Sequence, residues 1–335
     1  MRLPGQEELQ KIYNALQDNV SREIYKHRLL YSFFEEGEEI QKIVARWSVY
    51  RKDLSVPKIC CYGAGAGCRY VLDHYSYDAT FIIDSYKTGT LGGLPVISFD
   101  DFLSMPDFRE YLVLITVGGE RAQEEIKERL KQHGVRYVFA FFVHCDERQY
   151  FEIRTMCSGL RDEYFADIGA LNGFTTQYFL DHFEGGYAYV FEPNPKQFEI
   201  TKERLREYPQ AELFCYGAYD KNTTLRFDPM ENGGEEGARI AGSGAIEIAV
   251  RRLDTLLGDR PVTFIKMDIE GSELAALRGA ERIVREQRPK LAICVYHKPE
   301  DIWEIPGLIL QYHPDYRLYL RHYSLCDTDT VLYAV

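Results

Sequence analysis

Phe165-Ala166-Asp167-Ile168-Gly169-Ala170-Leu171-Asn172-Gly173 is a short apolar run with an acid at its end that passes into a glycine-flanked turn. Thr175, Thr176, Tyr178, Phe179 and Leu180 follow at helical spacing, which predicts a strand, a tight turn and a helix whose N-terminus faces back over the turn. Such an arrangement aims backbone N–H groups and a helix N-terminus at a ligand. Glu192 closes the next apolar segment, Tyr187 to Phe191, and stands 23 residues after Gly169. A nucleotide-binding glycine turn and the carboxylate that holds the ribose hydroxyls are roughly 20 residues apart. The spacing predicts a nucleoside-containing cofactor. The competing reading gives Gly169 and Gly173 no task beyond turning a strand into a helix.

Composition bounds the rest. The chain has 335 residues, 45% hydrophobic and 27% charged, which suits two domains with buried cores and excludes a disordered chain. A formal net charge of −12 repels phosphate backbones and anionic lipids, so neither nucleic acid nor membrane is an expected partner. The first residues, Met1 to Glu8, carry no apolar signal core, and no apolar run approaches the roughly 20 residues that span a bilayer. A cytoplasmic location is expected. Eight scattered cysteines, with only Cys60 and Cys61 adjacent, read as buried thiols rather than a disulfide or metal framework.

Three segments follow in order. Residues 1–55 read as helical, with Ile40, Ile43, Val44 and Trp47 forming one apolar stripe that packs on a neighbouring domain or, alternatively, builds a homodimer. Residues 56–148 read as a Rossmann-like domain. Ile59 to Tyr62 is a strand, Gly63 to Gly67 a glycine turn, and Phe81-Ile82-Ile83-Asp84 a second strand whose acid lies 21 residues after Gly63. Tyr111 to Val117, a helix from Glu120 to His133 and a strand from Val138 to Phe142 complete the unit. Cys68 stands where the dinucleotide fingerprint has its third glycine, so NAD, another nucleotide ligand and a purely structural role all remain open.

Residues 149–335 read as a second α/β domain opening with a helix from Gln149 to Cys157. A helix over Pro195 to Tyr208 leads to a strand from Ala211 and then to Gly217-Ala218-Tyr219-Asp220, a turn expected at the adenine edge. Thr224 to Phe227 and Ala245 to Val250 alternate like a hairpin around Glu231 to Gly244, a surface loop or a lid. Strand Val262 to Met267, helix Ser272 to Glu286, strand Leu291 to Tyr296, helix Asp301 to Gln311 and a closing hairpin of Tyr316 to Arg321 with Thr330 to Ala334 follow. This order predicts a doubly wound, mostly parallel sheet with one antiparallel edge strand. Asp167, Glu192 and Asp268, each closing a strand, are then expected to share one edge.

Two family resemblances rest on these residues. Phe81 to Phe99, with Asp84 and Gly92-Gly93-Leu94-Pro95-Val96, resembles the N-terminal Rossmann-like domain of sugar acetyltransferases, which implies a nucleotide-sugar ligand. Asp167-x-Gly169-Ala170, Phe191-Glu192-Pro193, Leu253-Asp254-Thr255-Leu256 and Asp268-Ile269-Glu270-Gly271-Ser272-Glu273 resemble the FkbM family of methyltransferases. That resemblance implies a class I methyltransferase fold, S-adenosyl-L-methionine (SAM) as cofactor, and O-methylation of a sugar or other small-molecule hydroxyl. By position it gives Asp167, Gly169 and Gly173 the methionine moiety, Glu192 the ribose, and Asp268 a place near the methyl. Leu171 replaces an asparagine common in the family, so Asn172 is expected to supply that polar contact. Gly217 and Ala218 complete the expected cofactor contacts.

Catalysis of methyl transfer needs alignment and, for an alcohol, a proton acceptor. Asp268, Glu270 and His297 are the candidates. A hard divalent cation on the same three groups is the alternative, ranked below a metal-free base. Trp303 reads as packing or as a sugar-stacking platform. Two rival functions remain: an NAD-dependent dehydrogenase using Gly63 to Asp84, and a non-catalytic sensor of nucleotide-sugar and SAM.

Overall fold

A computed structural model describes residues 3–47, 58–74, 78–118, 120–140, 149–152, 161–228, 239–240 and 246–335. Most of the expected Gln149 to Cys157 helix, the end of the Val138 to Phe142 strand and nearly all of Glu231 to Gly244 lie outside these residues. Contacts divide the chain into two units. Met1–Lys26, Cys145–Arg321 and Asp329–Val335 form one, and His27–His144 with His322–Thr328 form the other. The helical segment expected over residues 1–55 is therefore shared between units instead of standing alone. No helix among the described residues is long and apolar enough to cross a membrane.

Three helices come first: α1 (Gln6–Ala15), α2 (Asn19–Phe34) and α3 (Gly37–Trp47). Glu7 and Glu8 in the first turn of α1 complement its positive end. The stripe on α3 is used within the chain, since Ile40, Ile43 and Val44 are buried.

The second unit is built from β1 (Lys58–Tyr62), α4 (Ala66–His74), β2 (Ala79–Ile83), β3 (Gly89–Leu91), β4 (Leu94–Ile97), α5 (Phe99–Ser104), β5 (Tyr111–Ile115), α6 (Glu120–Gln132) and β6 (Tyr137–Ala140). Its sheet has the order β3-β4-β2-β1-β5-β6, parallel except for β3. Gly92 and Gly93, both at positive φ, make the two-residue turn between β3 and β4, a conformation that favours glycine at both positions.

The first unit continues with β7 (Tyr164–Ile168), α7 (Phe174–His182), β8 (Tyr187–Phe191), α8 (Pro195–Arg204), β9 (Ala211–Phe214), β10 (Gly217–Ala218), β11 (Thr223–Asp228), β12 (Arg239–Ile240) and β13 (Ile246–Arg251). It ends with α9 (Leu253–Leu257), β14 (Phe264–Met267), α10 (Glu273–Gly279), α11 (Glu281–Gln287), β15 (Lys290–Cys294), α12 (Asp301–Tyr312), β16 (Leu318–His322) and β17 (Thr330–Ala334). Seven strands form one sheet in the order β16-β17-β15-β14-β7-β8-β9. The strands from β15 to β9 are parallel, as the alternation of elements predicts, and β17 runs antiparallel to β15; this reversed strand is not at the edge as expected but lies between β15 and β16. Central strands of such a sheet are covered on both faces, which is why β14 and β15 read as nearly unbroken apolar runs.

Two local expectations change. The helix expected from Ser272 to Glu286 is two helices, parted at Ala280, whose φ of −109° and ψ of 14° leave the helical region. Gly217 and Ala218 are not a turn but β10, paired in parallel with Val250 and Arg251 of β13 in a separate four-stranded sheet.

Candidate functional site

Register decides which acids reach the ligand edge of the seven-stranded sheet. Ile168 pairs with Phe191 on one side and Met267 on the other, so Gly169, Glu192 and Asp268 are the next residues in one row at the carboxyl ends of β7, β8 and β14. Asp167 lies below that row. It pairs in register with Lys266, and the two side chains, both buried, meet at 3.1 Å. Thr176 donates its hydroxyl to the other carboxylate oxygen at 2.7 Å, and the Lys266 ammonium reaches the Gly169 carbonyl at 2.6 Å. Asp167 is thus an internal counter-ion that ties loop to sheet. The expected contact with the methionine moiety would thus fall to a carboxylate already paired with Lys266 and Thr176.

The loop after β7 is held from several sides. Gly169 has φ +84°, and a Cβ there would stand 2.0 Å from the Asp268 carbonyl oxygen, so glycine is needed for the close approach of two loops. Gly173, at φ +81°, is the N-cap of α7. Asn172 accepts the Phe174 N–H on its amide oxygen at 3.2 Å, so that oxygen serves the turn. From α8, Thr201 donates to the Leu171 carbonyl at 2.8 Å and Arg204 to the Asn172 carbonyl at 2.7 Å. Neither residue is signalled in the sequence, because both act through helix packing.

Glu192 sits where expected. Its two oxygens accept one backbone N–H each, from Leu171 and Asn194, both at 2.8 Å. A carboxylate offers about four lone-pair sites, so among the described residues two remain unclaimed. Burial outweighs these hydrogen bonds and raises its pKa to about 7. Asp84 of the other unit contrasts with it. Ala64, Tyr86 and Lys87 all donate backbone N–H groups to it, at 2.7, 2.8 and 2.9 Å. Burial opposes its ionisation, but these donors and Lys87 prevail and hold its carboxyl below the usual range. Asp84 is committed to its own loop.

The third loop gathers the candidate catalytic groups. Asp268 follows β14, Glu270 holds a positive φ of 53°, Glu273 opens α10 and His297 follows β15. The His297 Nε2 lies 3.5 Å from Asp268 and 3.3 Å from Glu270, and its Nδ1 lies 3.0 Å from Glu273. Burial works against charging the imidazole, but Glu273, Glu270 and Asp268 prevail and hold its pKa well above the usual histidine value. In the absence of another cation, these carboxylates favour the protonated ring. Tyr150 donates its phenol to Asp268 at 2.6 Å. Burial and the Asp268 charge push that phenol's pKa well up, so it stays a donor.

Asp268, Glu273 and His297 each offer a ligand atom within 4.8 Å of the others. Glu273 is absent from the expected trio although it stands in the quoted motif. Its weight comes from burial and from contact with a residue 24 positions away. Trp303 is fully buried, which makes it packing and ends the sugar-platform reading. Asp301, also buried, accepts the Lys298 N–H at 2.9 Å.

This edge can be set against known proteins. Residues 167–324 match the methyltransferase FkbM domain. A methyltransferase FkbM of known structure, from Methylobacillus flagellatus KT, is 20% identical, with 92% of this chain and 100% of that chain covered and a TM-score of 0.51. The fold is that of a class I methyltransferase. An O-methyltransferase from Bacillus cereus, in complex with SAH, is similar at 12% identity over 65% of this chain and 92% of its own, with a TM-score of 0.34. A SAM-dependent methyltransferase from Aquifex aeolicus is similar at 15% identity over 63% and 97%, with a TM-score of 0.34. No curated protein matches the chain in sequence. The FkbM match spans the Glu192 and Asp268 loops and stops short of β17.

Proposed function

We propose that this protein is a SAM-dependent O-methyltransferase acting on a hydroxyl of a carbohydrate, a nucleotide-linked sugar or a related small molecule. The observation that carries the reading is the row of Gly169, Glu192 and Asp268, with Asp268 joined to Glu270 and Glu273 around His297. A buried carboxylate with two unclaimed lone-pair sites suits the paired hydroxyls of a ribose. Carboxylates along the same edge suit a ligand that carries a positive sulfonium.

Bound SAM, held by Glu192 and the Gly169 to Gly173 loop, would supply an electrophilic methyl for the acceptor oxygen and a neutral thioether as the leaving group. The chain's residues have two tasks. The pinned Gly169 to Gly173 loop and Glu192 fix the cofactor, so that methyl and oxygen meet in line. Asp268 or Glu270 takes the hydroxyl proton. His297, 3.5 Å from Asp268 and 3.3 Å from Glu270, orients both carboxylates. The NAD-dependent alternative loses support because Asp84 gives three of its roughly four lone-pair sites to its own loop.

Calorimetric titration of S-adenosylhomocysteine into wild type and Glu192→Ala tests this reading. The expected result is binding that the substitution weakens tenfold or more, about 1.4 kcal/mol. A screen of capped sugars and nucleotide-sugars as acceptors follows. An absence of S-adenosylhomocysteine binding to the wild type would refute the proposal.

A further inference from the structure

We propose that Asp268, Glu273 and His297 bind one hard divalent cation, of the Mg2+ or Mn2+ class, at the acceptor side of the methyl-transfer site. The position beside the methyl rests on the function proposed above; the cation site itself does not.

Three observations carry it. The three side chains come from different places, the loop after β14, the start of α10 and the loop after β15, yet they bring a ligand atom each within 4.8 Å of one another. Donors bound to one cation at about 2.0 to 2.6 Å stand about 3 to 5 Å apart, so the spread already fits. Next, His297 and Glu273 are short of hydrogen-bond partners among the described residues. The side chain of His297 is 7% exposed and that of Glu273 fully buried. The imidazole nitrogens lie 3.0 to 3.5 Å from carboxylates, but none of these contacts has hydrogen-bond alignment, and Glu273 Oε2 has no hydrogen-bond partner among the described residues. Buried polar atoms left in that condition are costly, and a cation bound to one ring nitrogen and a Glu273 oxygen would give each a partner.

The outer contacts are also in place. Tyr150 donates to Asp268 Oδ2 at 2.6 Å, and the Ile269 N–H donates to Glu273 Oε1 at 2.8 Å. Such contacts orient ligating carboxylates. Two carboxylates with one imidazole and no thiolate among the three ligands select a hard or borderline ion. The nearby Glu270 adds a third negative charge, so the cluster is better balanced by a divalent ion than by one imidazolium. Such a cation would hold the acceptor hydroxyl and lower its pKa. Glu270, whose side chain is 35% exposed, then takes the proton.

The test is Mn2+ titration of the full chain, freed of metal by chelation and followed by the electron paramagnetic resonance of free Mn2+, with S-adenosylhomocysteine binding measured on the same samples. We expect one saturable Mn2+ per chain, weakened at least tenfold in Glu273→Gln and in His297→Asn while S-adenosylhomocysteine still binds. Should Glu273→Gln fail to fold, His297→Asn alone decides. No saturable Mn2+ up to about 10 mM, beyond even weak protein sites, would overturn the site. So would unchanged Mn2+ affinity in His297→Asn, or saturable binding of Zn2+ without Mn2+. Loss of S-adenosylhomocysteine binding by the wild type would strike the methyltransferase reading instead.

Discussion

Asp167 and Glu192 sit on adjacent parallel strands, yet register gives them different work. Asp167 pairs with Lys266 below the ligand edge, while Glu192 stands in the edge row. Removing one partner of a buried ion pair strands the other and costs about 3–5 kcal/mol. Asp167→Ala should therefore lower the unfolding free energy by about that amount in urea denaturation. Replacing Asp167 and Lys266 together by apolar residues should cost much less. Glu192 gives a pH signature. Its folded pKa is raised by burial from 4.5 to about 7. Below about pH 4.5 it is protonated in both states and costs nothing; as pH rises through 7 the unfolded chain ionises it more readily, and stability falls. The ligand-free wild type should lose up to about 3 kcal/mol through this group between pH 4.5 and 8. Denaturation of Glu192→Gln across the same range should show that loss removed.

At the scale of elements, the site is a set of loops held against one another by backbone contact. Gly169 is the tightest point, since a methyl there meets the Asp268 carbonyl oxygen and the side chain of Ile269. Gly169→Ala should cost about 3 kcal/mol or more, from backbone strain and overpacking combined. Because the displaced atoms belong to the Asp268 loop, turnover should fall further than S-adenosylhomocysteine affinity, which a comparison of kcat with the calorimetric Kd would read. The sheet itself was legible in the sequence, since central parallel strands must be apolar on both faces and Tyr187–Phe191 and Lys290–Cys294 are nearly so. Glu192, Asp268 and His297 were legible as polar residues closing apolar runs. Lys266 was hidden inside such a run, and Tyr150 and Glu273 act across 118 and 24 positions of chain, distances that no local pattern encodes. The place of Asp167 below the edge row was hidden for a related reason. A strand's last polar residue and its last residue differ here by one position, and that one step moves the side chain to the other face.

At the scale of the whole molecule, the chain changes unit between residues 26 and 27, 144 and 145, 321 and 322, and 328 and 329. A two-unit chain is not expected to unfold in one step, and the two units differ in what should stabilise them. S-adenosylhomocysteine at about 100 times its Kd adds about 2.7 kcal/mol to the structure that binds it. By the reading above that structure is the unit holding the seven-stranded sheet. Asp84→Ala, in contrast, leaves the backbone N–H groups of Ala64, Tyr86 and Lys87 without their acceptor, at a cost of about 1–3 kcal/mol for each one left buried. Differential scanning calorimetry should therefore resolve two components. S-adenosylhomocysteine should raise the temperature of one, and Asp84→Ala should lower that of the other without changing S-adenosylhomocysteine affinity. If both treatments moved one undivided transition, the four passages of the chain would have to bind the units into a single cooperative structure. Asp84 would then contribute to the stability of the cofactor-binding unit without touching the cofactor.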